Sequence, residues 1–331
     1  MVNSPNPYGL VVFGATGFVG RILCQYLLEH LGVNGPASWA IAARSKTKLE
    51  SLISTLGPGA EGLPQIVADT SDEDSLRKLC GQTQVVISTV GPYALYGEPL
   101  VKVCAETGTD YCDLTGEPQW VRRMIKQYGA TAQQSGARIV HCCGFDSVPS
   151  DLGVYHLQQQ AQQQLGEFCD RIKMRVKSAQ GGVSGGTAAS GINILKEART
   201  SSALQRELAN PYSLCVEQDR AGLKHPPTFI PVEYDQDFDG WVSPFVMAAI
   251  NTRIVLRSNA LQDFTYGREF KYEEAMLTGP KAGGWIGAQL LNVGLGGIAA
   301  AMAFSPSRWL LQQTLIPKPG QGPSPEAQEQ G

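Results

Sequence analysis

The segment Gly14-Ala15-Thr16-Gly17-Phe18-Val19-Gly20 stands directly between a short apolar run, Gly9 to Phe13, and a stretch of helical apolar spacing, Phe18 to His30. In a G-x-x-G-x-x-G arrangement the early glycines permit a tight turn and a close approach of backbone to a ligand, and the last lets helix and strand pack closely. A helix beginning there points its unpaired N–H groups and the positive end of its dipole past the strand, which suits a pyrophosphate. A glycine trio alone marks only a turn. Between a strand and a helix it predicts a dinucleotide site, with Gly14, Ala15, Thr16, Gly17, Phe18, Val19 and Gly20 as its loop.

The alternation continues down the chain. Ser38 to Ala43, Gln65 to Ala68 and Gln84 to Thr89 read as buried strands, with Lys46 to Thr55 and Asp72 to Cys80 as the helices between them. Glu98 to Thr107 and Pro118 to Ser135 carry helical patterns, and Asp110 to Asp113 and Arg138 to Cys142 strand patterns. Strands separated by helices specify an α/β fold, a Rossmann-type doubly wound parallel sheet, over residues 1–150. After Cys143 the rhythm changes: Val148 to Gln164 reads as a long helix, Asp170 to Ser178 as a half-exposed strand, and a Gly/Ser run follows. A second, smaller α+β domain is expected over 151–280, then an apolar Gly/Ala-rich helical segment over 281–316 and a flexible tail over 317–331.

The end of the second strand discriminates between cofactors. An NAD site places an acidic residue there for the ribose 2′-hydroxyl, whereas this chain reads Ala43-Arg44-Ser45-Lys46. A guanidinium with a neighbouring ammonium holds a 2′-phosphate by charge-assisted hydrogen bonds, so NADP(H) is favoured, with Arg44, Ser45 and Lys46 as its contacts. Asp69, after the third strand, either sits near the adenine or caps the next helix. Thr89, Val90, Gly91 and Pro92 end the fourth strand at the carboxyl edge of the sheet, where ligands of such folds bind, and are assigned to the nicotinamide side. No Tyr-x-x-x-Lys pair occurs, so the tyrosine relay of short-chain dehydrogenases is not available.

Composition excludes other classes. A net charge of -3 gives no basic field for a nucleic-acid backbone. The eight cysteines contain no C-x-x-C, and the four histidines are scattered without ligand spacing, so no metal is expected and a reducing compartment fits. The first residues lack a basic region followed by an apolar core, unlike a signal peptide. Between Lys281 and Arg308 no residue is charged. That stretch is open to three readings, a buried core helix, a membrane span, or peripheral contact with lipid through 282–307, with Trp285 and Trp309 flanking it. Peripheral contact by an otherwise cytoplasmic protein, with a homodimer as a further option, is the expectation carried forward.

The order G-A-T-G-F-V-G, A-A-R-S, S-T-V-G-P-Y, Y-C-D-L-T-G-E and C-G-F-D-S-V-P-S-D-L-G resembles the saccharopine dehydrogenase-like oxidoreductases, and within them the trans-acting enoyl reductases. It covers Gly9 to about Gly153 and continues more loosely through Gly181 to Thr187. The resemblance implies NADP-dependent reduction of a double bond on a small-molecule, lipid-linked substrate. Members of that family usually run on past the position of Gly331 into a further strand-rich segment, so this chain is expected to be shorter than they are, with cofactor binding intact.

For the chemical step a hydride must reach carbon while a donor stabilises or protonates the developing enolate. Tyr93, Asp113 and Glu117 are the catalytic candidates by position, with Tyr111 beside them. The alternative for the two acids is a bond to local backbone, and for Asp146 and Ser147 a cap on the following helix. Two other functions stay open: NADP(H) binding for redox sensing without turnover, and amino-acid dehydrogenase chemistry of the saccharopine type.

Overall fold

The structure is a computed structural model and describes residues 6–178, 184–220, 222–223, 230–303, 306 and 320–329. Its first unit runs β1 (Tyr8–Phe13), α1 (Phe18–Leu31), β2 (Trp39–Ala43), α2 (Lys46–Leu56), β3 (Gln65–Val67), α3 (Glu73–Cys80), β4 (Thr83–Ser88), α4 (Tyr93–Tyr96), α5 (Glu98–Thr107), β5 (Asp110–Asp113), α6 (Pro118–Ser135) and β6 (Ile139–Val140). The sheet order is β3-β2-β1-β4-β5-β6 and every pairing in it is parallel. Neighbouring residues of one strand face opposite apolar layers. Val11, Ala40 and Ala42 meet α3, α5 and α6 on one side, and Val12, Ile41 and Ala43 meet α1 and α2 on the other. Burial on both faces explains why these strands are continuous apolar runs rather than alternating ones.

Two local caps set the helices that follow the ligand edge. Ser45 accepts the Lys48 N–H and starts α2, and Asp72 accepts the Ser75 N–H and starts α3. The sixth strand is shorter than the pattern Arg138 to Cys142 suggests, ending at Val140. Its continuation is drawn off by Asp113, whose carboxylate accepts the Cys142 N–H, while Cys142 itself takes a positive φ of 62°.

The second unit contains α7 (Val148–Leu165), β7 (Arg171–Val176), α8 (Gly185–Thr200), α9 (Ser202–Ala209), α10 (Glu217–Arg220), β8 (Glu233–Asp235), β9 (Gly240–Pro244), α11 (Ala248–Leu261), β10 (Lys271–Gly279), α12 (Lys281–Ala303) and α13 (Pro325–Glu329). Its mixed sheet is ordered β7-β10-β9-β8, with β10 parallel to β7 and antiparallel to β9. Leu214 and Ile250 join the apolar layer beneath α5 and α6, so the two units share core. Arg253, buried in that seam, donates to Ser213 Oγ and to the carbonyls of Leu208 and Ala249.

The buried-helix reading of the uncharged stretch does not hold for α12, because most of its side chains are exposed. Trp309 and most of the 304–319 segment lie outside the described residues, as do Gly181 to Val183. Of the expected tail, residues 320–322 lie against α1 and α8. Arg21 donates to the Gly320 carbonyl at 3.2 Å, Gly185 N–H to that of Gln321 at 3.0 Å, and Gly322 lies so close to the Phe18 ring that a Cβ there would overlap it.

Candidate active site

A cleft of about 360 Å³ opens at the carboxyl edge between β1 and β4, where the strand order reverses. Its floor is the glycine loop. Gly14 adopts φ +88°, and a Cβ there would meet Val90 Cγ2 at 2.6 Å and Thr89 Oγ1 at 2.8 Å, so the loop and the end of β4 touch only because Gly14 has no side chain. Gly20 serves the helix instead, since a Cβ on it would overlap the Gly14 carbonyl and Ala15. Thr16, Gly17, Phe18 and Val19 line the cleft; Ala15 is buried beneath it. Gly17 caps α1 without a side-chain bond, and the first turn carries no acid, so the opening N–H groups of the helix face the cleft unopposed. A pyrophosphate fits this cradle.

One end of the cleft is bounded by Ala43, Arg44, Ala68, Asp69 and Thr70. Arg44 lies on the lining, whereas Ser45 is spent on the α2 cap and Lys46 is an exposed surface residue 3.9 Å from Glu50. Asp69 does not cap α3, a role Asp72 takes; it accepts the Ser71 N–H at 2.9 Å and the Ser71 hydroxyl at 2.8 Å. Those bonds, with the Arg44 charge in support, hold its carboxyl below the usual range.

Thr89, Val90, Gly91 and Pro92 form the other end, together with Tyr96 on α4, Ser184, Gly186 and Ala189 at the start of α8, and Gly320. Sequence reasoning missed Tyr96 and the α8 residues. No spacing argument pointed to Tyr96, since Tyr93 one turn earlier is buried and does not line the cleft. For α8 the signal was Ser184-x-x-Thr187 after a glycine run, a capping pattern that the structure realises as Thr187 N–H to Ser184 Oγ at 3.2 Å.

Tyr93, Asp113 and Glu117 are brought together beneath this end and do not line the cleft. Glu117, wholly buried, accepts the N–H groups of Tyr93 at 2.8 Å and Ala94 at 3.1 Å and the Ser190 hydroxyl at 2.8 Å, tying the start of α4 to α8. Asp113 accepts from Thr115 N, Cys142 N, the Tyr111 hydroxyl and His141 Nδ1, the last at 2.6 Å. Tyr93 donates to the Ser88 carbonyl at 2.9 Å, and burial, with the Asp113 charge adding to it, pushes its phenol well above the ordinary value. His141, which no spacing argument singled out, is held by Asp113 and edge-on to Trp120, with its Nε2 buried and without a partner among the described residues. Ser147 does not cap α7 with its side chain and donates instead to Asn251 Oδ1.

Residues 10–140 match the family model of the saccharopine dehydrogenase NADP binding domain. A Mycobacterium tuberculosis protein provisionally named a trans-acting enoyl reductase is 41% identical over 100% of this chain and 80% of its own length. The trans-acting enoyl reductase of Mycobacterium leprae is 38% identical over 98% of this chain and 79% of its own length. Yeast saccharopine dehydrogenase (L-Glu forming) is a more distant structural likeness, with TM-score 0.38 and 20% identity over 47% of this chain and 32% of its own.

Proposed function

The chain belongs to the trans-acting enoyl reductase family of oxidoreductases, with an NADP-binding domain, and on that premise we propose that it uses NADPH to reduce a carbon–carbon double bond conjugated to an acyl carbonyl on a lipid-type substrate. The observation that carries the reading is the unlike chemistry of the two cleft ends. Among the described lining residues the ionisable side chains are Arg44, Asp69 and Tyr96. Arg44 and Asp69 share the end that follows β2 and β3, where a 2′-phosphate would lie. The opposite end holds, among the described residues that line it, a phenol and hydroxyls and no cation.

Bound NADPH supplies the hydride. The first turn of α1 would hold the pyrophosphate, Arg44 the 2′-phosphate, and Thr89 to Pro92 would flank the nicotinamide. Hydride addition to the β-carbon of an enoyl group leaves negative charge on the carbonyl oxygen, and Tyr96, which lines this end of the cleft, is the hydroxyl we assign to donate to it. Tyr93, Asp113 and Glu117 act here as positioning residues: Glu117 fixes α4, and so Tyr96, against α8, while Asp113 holds the ends of β5 and β6. With no cation among its described lining residues, that end favours an acyl chain over the carboxylates of an amino-acid substrate.

The test is NADPH oxidation against enoyl thioesters of increasing chain length, matched saturated thioesters, and amino-acid-derived imines. Turnover of enoyl thioesters, faster with longer chains and slower with NADH, is the expected result. Turnover confined to the imines, or none with any enoyl compound, would overturn the reading.

A further inference from the structure

Helix α12 is long and apolar enough by length and composition to cross a membrane, yet almost all of it is exposed. Only one stripe packs. Gly284 and Ala288 are buried against the second sheet, where Thr278 Oγ1 donates to the Gly284 carbonyl at 2.8 Å and Gly287 lies over Thr278. Past this contact, Leu290 to Gly294 are exposed without interruption, and Gly296 to Ala300 again. At about 100° per residue each run sweeps more than a full turn, and apart from Asn292 every residue in the two runs is apolar or glycine, so the outward surface is apolar nearly all the way round. Leu290, Val293 and Ile298 are 69%, 68% and 62% exposed.

We propose that the second half of α12 inserts into the hydrocarbon of a lipid bilayer and that the protein is held on one face of the membrane by it. A single protein partner covers one face of a helix; hydrocarbon covers all of them. A helix resting in the interface would need a charged or polar face, whereas between Lys281 and the end of α12 there is no charge and the only amides are Gln289 and Asn292. From Leu290 to Ala303 the helix is about 20 Å long, enough to cross one leaflet of about 15 Å but not a hydrocarbon core of about 30 Å. The return of the chain agrees: by Gly320 and Gln321 it is bonded to Arg21 and Gly185, on the same body that α12 leaves. Residues on both sides of the insertion therefore lie on one side of the membrane. Trp285, half exposed on the packed turn that precedes Leu290, would then lie near the interface, where aromatic residues are favoured. This inference stands apart from the substrate assignment, since its test reads membrane attachment and not turnover.

The experiment is flotation of the full chain with neutral phosphatidylcholine vesicles, at low and high salt, beside the variant carrying Leu290→Glu, Val293→Glu and Ile298→Glu. These positions are exposed and are not among the residues that line the cleft, and NADPH binding serves as the control for folding. Wild type is expected to float at both salt concentrations and to resist a carbonate wash, while the variant binds NADPH as before and loses flotation. Wild type remaining at the bottom overturns the proposal, whether it is monomeric or forms a dimer that the variant dissociates, as does a variant that floats equally well. A C-terminal tag on protein bound to sealed vesicles is expected to stay open to added protease; a protected tag would show a span and overturn the one-sided insertion.

Discussion

The two ends of the cleft are built by different means. The end proposed for the 2′-phosphate comes from β1, α1, β2 and β3, contiguous in sequence, and its essential geometry is backbone: a left-handed glycine, an unblocked helix start, and a strand end that leads to Arg44. The opposite end joins the β4 loop and the adjoining α4 to α8 and Gly320, which are distant from them in sequence. There a buried carboxylate, Glu117, ties α4 to α8. A phosphate site can be written into one βαβ unit, whereas a substrate site must be held by long-range polar contacts.

The contrast predicts the largest stability effect at Glu117. Replacing it with alanine leaves the Tyr93 and Ala94 N–H groups and the Ser190 hydroxyl without their acceptor, and each buried group left unpaired costs about 1–3 kcal/mol. The chemical denaturation midpoint should fall sharply, Glu117→Gln should recover part of the loss, and a midpoint unchanged by alanine would show that the two ends are not built differently.

Tyr96→Phe tests the chemistry of the same end. Removal of a proton donor typically costs about 100-fold or more in kcat, with NADPH affinity unaltered. An undiminished kcat would remove Tyr96 from the mechanism. At the other end, Arg44→Asp replaces attraction by repulsion and should weaken NADPH by about 2 kcal/mol, close to 30-fold in Kd, while leaving NADH little changed. Equal losses for both cofactors would mean that Arg44 does not read the 2′-phosphate.

The smallest effect is expected at Asp69, a partly exposed carboxylate that shares the Arg44 field. Asp69→Asn should tighten NADP+ by less than about 1 kcal/mol, as exposed charge pairs do. Because Ser71 and Arg44 depress the carboxyl, it stays ionised well below neutrality. Its folded-state contribution is present above the ordinary carboxylate value of about 4 and is lost as pH falls through the lower folded value. Titrations of wild type and Asp69→Asn with NADP+ should therefore run parallel at neutral pH and converge only in acid; convergence near pH 6 would contradict the depressed value.

Some elements were legible for reasons that remain local. The strands β1, β2 and β4 are apolar runs because both faces are covered, and the boundaries of α5, β5 and α6 follow from Gly, Pro and acidic residues within each segment. Arg44 was legible because the end of β2 has a defined place in such folds. Ser45 and Lys46, adjacent in sequence, were not separable from it, since a cap and a surface pair arise from the direction of the first turn of α2.

By itself the sequence determined the parallel sheet, the glycine loop and the basic residue beside it, since each depends on periodicity of 2 or 3.6, on the freedom of glycine, or on neighbours within one supersecondary unit. Only the tertiary structure decided which polar groups face the cleft. Asp113 and Glu117 occupy the right strand edge, but their lone pairs are claimed by Tyr111, His141, Tyr93, Ala94 and Ser190, partners set by packing across the sheet and by the placement of α8. It also decided that α12 lies outside the core. An apolar helix reads the same in sequence whether protein or open surroundings cover it, and the difference is set by how much of its circumference the second sheet can reach.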